Sequence, residues 1–142
     1  MSFRHKMSPR FQDVDAAGIV FYARFFGYFH DAYVAFLESL GTEMALQHTL
    51  KTGDFLMPLV HSEADFKAPL RFGDRATTTL WVSKMGQSSF TLSYQIHRVD
   101  GQLVAQGQTV HACVTKANFS PCPLPERLRA GLMEHHEASE CE

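Results

Sequence analysis

Residues Arg10 to Tyr22 read R-F-Q-D-V-D-A-A-G-I-V-F-Y, and a long aromatic-rich stretch follows at once. Asp13 and Asp15 stand two residues apart, ahead of two alanines and Gly18. From about Ala23 to Leu40 the apolar residues recur at helical spacing. Phe25, Phe29, Ala32, Phe36 and Leu40 form one line, with Phe26, Tyr33 and Leu37 beside it. The segment therefore predicts a loop carrying two carboxylates that feeds directly into a helix start. A helix start presents unpaired backbone N–H groups and a partial positive charge. Chemistry at a carbonyl needs donors where negative charge develops, and a base or nucleophile nearby. This one piece of chain supplies both kinds of group. The plainer alternative is that Asp13 and Asp15 only cap the turns that follow them.

The helix is apolar over most of its circumference, which predicts burial on more than one side. Gly41 is its expected stop. Around it the chain reads as strands. Arg4 to Phe11 precedes the loop of Gln12 to Gly18, and Glu43 to Thr49 predicts a short second helix before the turn at Lys51-Thr52-Gly53-Asp54. Met57 to Lys67, Arg75 to Lys84, Ser88 to His97 and Leu103 to Thr115 follow as strands. The third of these alternates cleanly, with Phe90, Leu92, Tyr94 and Ile96 on one face and Ser89, Thr91, Ser93 and Gln95 on the other. Asp100-Gly101 is a hairpin signal. Pro125 introduces a terminal helix over Glu126 to Glu134, and a polar, frayed tail is expected after His135. The whole predicts an α+β domain: one long central helix wrapped by a curved antiparallel sheet of about five strands. Residues 1–134 make a single domain, and 135–142 its tail.

Composition narrows the function. The 142 residues are 45% hydrophobic and carry a net charge of −2, so broad attraction to nucleic acid or membrane is not expected. No stretch reaches the roughly 20 apolar residues of a membrane span. Cys113, Cys122 and Cys141 have neither metal-ligand spacing nor an even disulfide count. With the polar N-terminus M-S-F-R-H-K, they predict a cytoplasmic location. There is no H-E-x-x-H, no phosphate loop and no G-x-S-x-G elbow, so no metal site and no serine nucleophile is expected.

Several segments together resemble the hotdog-fold acyl-CoA thioesterases of the 4-hydroxybenzoyl-CoA thioesterase family. These are D-V-D-A-A-G-I-V-F-Y (13–22), H-D-A-Y (30–33), G-D-F-L-M-P-L-V-H (53–61), D-F-K-A-P (65–69), F-G-D-R (72–75) and Q-T-V-H-A-C-V (108–114). The likeness runs from about Lys6 to Leu128. The G-D-F-L-M-P-L-V-H block leans it toward the 1,4-dihydroxy-2-naphthoyl-CoA hydrolases of quinone biosynthesis. The resemblance implies thioester hydrolysis to a carboxylate and free CoA. It gives Asp15 as the catalytic carboxylate, the backbone N–H of Tyr22 as the group that polarises the carbonyl, and Gly18 as the residue that lets the loop approach the acyl group. It further implies a homodimer or a dimer of dimers, with each site at a subunit boundary and no cofactor beyond the CoA of the substrate.

This chain departs from the family in places. Many relatives have His at Tyr22 and Asn at Arg24. Some bind the CoA phosphates through an arginine pair where this chain has Gly86 and Gln87, which turns attention to Lys84 or Arg71. His61, His30 and Phe25 are candidate acyl-group contacts, the histidines through hydroxyls of an aromatic ring. An aliphatic or different aryl substrate, and a non-catalytic acyl-CoA-binding module, remain the competing readings.

Overall fold

A computed structural model describes residues 1–41 and 44–137. Strands β1 (Phe3–Met7), β3 (Leu59–Phe66), β4 (Ala76–Met85), β5 (Ser89–Arg98) and β6 (Leu103–Ala112) form one antiparallel sheet, in the order β1-β4-β5-β6-β3. Helix α1 (Arg24–Ser39) lies across its inner face. Phe25, Tyr28, Phe29, Ala32, Tyr33, Phe36 and Leu37 are all buried there, at the spacing the sequence displays. The sheet meets them with Leu80, Val82, Phe90, Leu92, Tyr94 and Ile96, all buried. Each such large side chain contributes about 1.5–3 kcal/mol on leaving water. Helix and sheet approach closely at Gly107, where a β-carbon would lie 2.4 Å from the Glu63 carbonyl and 2.7 Å from the Phe29 ring. Phe29 stacks on Tyr94 just beside it, with ring centroids 4.5 Å apart.

The first strand ends at Met7 rather than Phe11, because Pro9 has no N–H to give and residues Phe11–Asp13 wind into a single 3-10 turn. The two long strands expected over 57–67 and 103–115 are each broken. Pro58 separates β2 (Phe55–Leu56) from β3, and Cys113 separates β6 from β7 (Val114–Thr115). The short pieces β2 and β7 pair with each other as a separate two-stranded sheet.

Helix α2 (Leu46–Thr52) runs three residues further than expected. It stops at Gly53, where a β-carbon would meet the Thr49 carbonyl at 2.8 Å. Glu43, the expected first residue of this helix, lies outside the described residues, as do 138–142 with Cys141. Helix α3 (Glu126–Glu134) stands where Pro125 predicts it.

The chain just past α3 is not frayed. Val82 donates to the His135 carbonyl, and Glu137 donates to Val82. Residues 135–137 thus cover the edge of β4 beyond Leu80, the partner of Phe3 at the start of β1. Cys113 and Cys122 are free thiols whose sulfurs sit 3.4 Å apart. Burial and the neighbouring Cys122 push the Cys113 thiol up to about 12. Among the described residues no helix is long and apolar enough to cross a membrane.

Candidate active site

The loop that carries Asp13 and Asp15 is pinned at both ends. Val14 bridges Val20, Ile19 bridges Arg71, and the Val20 N–H donates to the Leu70 carbonyl at 2.8 Å. Gly18 closes a turn onto the Asp15 carbonyl at φ 81°, the left-handed region that favours glycine.

The two carboxylates have opposite surroundings. Asp13 is buried. It accepts from the Tyr28 hydroxyl (2.8 Å) and the Arg10 N–H (3.0 Å), and the Arg10 and Arg24 guanidiniums stand 3.7 and 3.9 Å away. Burial alone would raise its pKa, but these donors and charges together outweigh burial and hold it below the ordinary carboxylate value. Burial, then Asp13, raises the Tyr28 hydroxyl in turn. Asp13 also receives the Phe21 N–H on its main-chain carbonyl (2.9 Å). It therefore anchors the start of α1.

Asp15 is exposed, and among the described residues only one of its oxygens is engaged. Oδ1 accepts from Ala17 (2.9 Å) and Ile19 (3.4 Å). Asp15 lines a cleft of about 640 Å³ with Phe21, Tyr22, Phe25, Phe66 and Lys67. The helix opens into the same cleft. Arg24 and Phe25 donate back to Phe21 and Tyr22, and among the described residues the N–H groups of Tyr22 and Ala23 have no partner. The cleft thus brings Asp15 beside Tyr22, whose main-chain N–H is unpaired among the described residues at a helix start, the pair of functions that acyl transfer requires.

Of the residues singled out in the sequence, Asp15, Tyr22 and Phe25 line this cleft, and Gly18 shapes its loop. The others lie elsewhere. His30 lines a second cavity of about 360 Å³ between α1, α2, β3 and β6, together with Tyr33, Ser62, Thr109 and His111. His61 is in neither. The ladder slips between Leu59 and His61, so that Leu59 and Ser62 line the second cavity while His61 pairs with Glu63 at 2.8 Å. Lys84 is exposed on β4 beyond a second slip in the ladder, and Arg71 joins the loop only through its backbone bridge to Ile19. Neither lines the cleft. Its cation is Lys67, whose backbone is fixed by a 2.8 Å bond to the Val104 carbonyl. Sequence reasoning passed over Lys67 because its place beside Asp15 depends on where β3 ends relative to a loop some fifty residues earlier. Among the described residues no three of His, Cys, Asp and Glu converge on a point.

His111 carries a pH prediction. Its ring is buried, with Nε2 3.0 Å from the Thr109 hydroxyl. Burial, with a smaller push from His30, depresses it to about 4 against an opposing contact from the Met57 backbone. Between that value and the ordinary 6.5 the unfolded chain binds a proton that the folded chain does not. Stability is therefore complete above pH 6.5 and falls as pH drops toward 4, by about 2–3 kcal/mol. Urea unfolding and imidazole NMR check this. The ring should remain neutral at pH 5.5, and titration of His111 near 6.5 would contradict the prediction.

Comparison with known proteins agrees with this fold. The Thioesterase-like superfamily profile matches residues 9–132. A 1,4-dihydroxy-2-naphthoyl-CoA hydrolase from Synechocystis is 32% identical over 134 residues, 94% of this chain and 96% of its own. The protein of the same name from Synechococcus elongatus is 36% identical over 123 residues, 87% of this chain and 89% of its own. The crystal structure of a 1,4-dihydroxy-2-naphthoyl-CoA thioesterase from Synechocystis superposes with a TM-score of 0.88 at 31% identity, covering 94% of this chain and 97% of its own. With the hotdog arrangement of one helix against a five-stranded antiparallel sheet, and with the profile spanning almost its whole length, the chain belongs to the Thioesterase-like superfamily.

Proposed function

We propose that this protein hydrolyses acyl-CoA thioesters to a carboxylate and free CoA, and that its substrate is 1,4-dihydroxy-2-naphthoyl-CoA. The observation that carries the reading is the place of Asp15, with one oxygen unbonded among the described residues, in the same cleft as Tyr22, whose amide is unpaired among them. The thioester carbonyl oxygen accepts from that amide, and the helix dipole favours the charge that builds there. Asp15 acts in one of two ways. It draws a proton from the attacking water, or it attacks the acyl carbon itself to form an anhydride that water then opens. Either way the C–S bond breaks, CoA leaves as thiolate and takes up a proton, and the acyl group leaves as carboxylate. This chemistry is complete without a further cofactor. The acyl group follows the activity for which the relatives are named.

The same proposal includes a homodimer, or a dimer of dimers, in the cytoplasm. β3 is one of the two outer strands of the sheet, and Leu59, Val60 and Phe66 on it are about half exposed or more. An apolar open edge of this kind is normally covered. A second copy paired along β3 covers it.

The test is release of free thiol from a panel of acyl-CoA esters by the purified protein, with its mass measured by light scattering. 1,4-Dihydroxy-2-naphthoyl-CoA should give the highest kcat/KM, by tenfold or more over benzoyl, phenylacetyl and aliphatic esters. A flat profile would remove the aromatic preference. Tight binding of every ester without thiol release would replace the enzyme by a binding module. A monomeric mass would remove the dimer.

A further inference from the structure

Cys113 and Cys122 line neither the Asp15 cleft nor the second cavity, and the proposed hydrolysis makes no use of them. They face each other at the base of a hairpin. Val114 bridges Pro121 antiparallel, so the register sets Cys113 opposite Cys122, and the Cys122 N–H donates to the Cys113 carbonyl at 3.0 Å. Residues opposed in this way have Cα atoms about 5.5 Å apart, inside the span of about 4.4–6.8 Å that a disulfide bridges. The two sulfurs already touch, at 3.4 Å. A bond of about 2.05 Å needs only a small turn of either side chain. Among the described residues no third His, Cys, Asp or Glu joins them as a metal-ligand set would need, which leaves thiol chemistry.

The two thiols differ in access. Cys113 is fully buried, and its Sγ lies 3.8 Å from the Pro123 carbonyl, to which it donates weakly. Burial, and then Cys122, push it up to about 12, so at neutral pH it stays protonated. Cys122 is half-buried and lines a surface hollow of about 240 Å³ with Gln87, Ser88, Pro121 and Pro123. A reagent from solution therefore meets Cys122 first.

We infer that Cys113 and Cys122 form a reversible dithiol–disulfide site, which a low-molecular-weight disulfide such as glutathione disulfide enters at Cys122. Cys122 gives its proton to solvent and its sulfur attacks the disulfide, so that one glutathione leaves as thiolate and takes up a proton. Cys113 then loses its proton and attacks the Cys122 sulfur of the mixed disulfide. The bond to the second glutathione breaks, and that thiolate is protonated in turn. Two protein thiols are oxidised by two electrons, and glutathione disulfide is reduced to two thiols. The second step joins sulfurs already in contact, which favours it over capture of another glutathione. In a reducing compartment such a bond is transient and redox-sensing rather than structural.

The bond closes the base of the 114–121 hairpin. Near its tip Phe119 sits at φ 57°, in the left-handed region, and lines the second cavity. Lys116 ties the same hairpin to the end of α2, donating to the Leu50 and Gly53 carbonyls at 2.8 and 3.2 Å. Oxidation thus stiffens one wall of that cavity.

The test uses the full chain carrying Cys141→Ser, which leaves only these two thiols. Folded protein is incubated with excess glutathione disulfide and read by intact mass and peptide mapping. It should become lighter by two hydrogen atoms, hold no glutathione, and give one peptide pair joined through Cys113 and Cys122. Excess reduced glutathione should restore both thiols. With Cys113→Ala added, the reaction should stop at a mixed disulfide on Cys122. With Cys122→Ala added instead, Cys113 should stay unmodified while the protein is folded. In the oxidised form the Thr115, Phe119 and Ser120 amides should exchange with deuterium at least about tenfold more slowly than in the reduced form. Two thiols still free after oxidation, a glutathione retained on Cys122 with Cys113 present, modification of Cys113 in folded Cys122→Ala, or unchanged amide exchange would each overturn the inference. The measurements on the Cys141→Ser chain decide it even if Cys113→Ala, a change in the core, does not fold.

Discussion

Asp15→Asn should leave the fold standing and abolish nearly all thioester hydrolysis. The two roles of Asp15 separate cleanly under this change. Its structural role is to accept from the Ala17 and Ile19 amides through Oδ1, and an amide oxygen accepts those bonds equally well. Its chemical role needs a carboxylate oxygen that can take a proton or attack a carbon, and an amide does neither. Positioned general bases supply about 10²- to 10⁴-fold, so kcat should fall by at least about 100-fold. KM should change little, because Tyr22, Phe25 and the cleft walls are untouched. Free-thiol release measures the rate, and thermal unfolding confirms the fold. Full activity in the variant would remove Asp15 from the mechanism. In wild type, a single turnover in heavy-oxygen water identifies one of the two routes. An unlabelled first product with the label left in Asp15 shows an anhydride that water opens at the Asp15 carboxyl carbon, whereas a labelled product shows that water attacks the acyl carbon.

The sequence carries the local parts of this architecture well. Helix α1 is legible because its apolar residues repeat along a single element. α3 is legible from Pro125, and the turn at Asp100-Gly101 is there, with Gly101 at φ 92°. Asp15, Tyr22 and Phe25 belong together for the same reason, being close in the chain. What sequence reading misses is set by pairing between distant strands. A slip in the ladder between Leu59 and His61 changes which side chains face the helix, turning His61 away and Ser62 in. The stack of Tyr33, His111 and Phe90 draws on three elements. Lys67 reaches the cleft only because β3 ends beside the 15–20 loop. The different fates of Asp13 and Asp15 are hidden for the same reason, since the decision belongs to Tyr28, fifteen residues on.

That decision supports a second large effect. Asp13→Ala should destabilise the protein by about 3–5 kcal/mol, the usual result of removing one partner from a buried charged network. The loss comes from the groups left behind. Tyr28 keeps a buried hydroxyl with no acceptor, the Arg10 N–H loses its bond, and two guanidiniums lose the charge between them. The exposed ends of those arginines add little, so the hydrogen bonds dominate. Urea unfolding at pH 7 measures the loss. Adding Tyr28→Phe should restore about 1 kcal/mol, because it deletes the stranded hydroxyl, and the two changes should be clearly non-additive.

The acid limb gives an independent check. The Asp13 carboxyl is depressed when folded, so its contribution is present above about pH 3.8 and is lost as pH falls below that. Asp13→Ala should flatten stability in that lowest range and leave the His111 decline between 6.5 and 4 unchanged. Activity should fall with stability even where the variant is still folded, since the loop anchored at Asp13 sets where the Tyr22 amide points. A variant within 1 kcal/mol of wild type, with full turnover, would show that Tyr28 and Arg10 find other partners and that the helix start does not depend on this carboxylate.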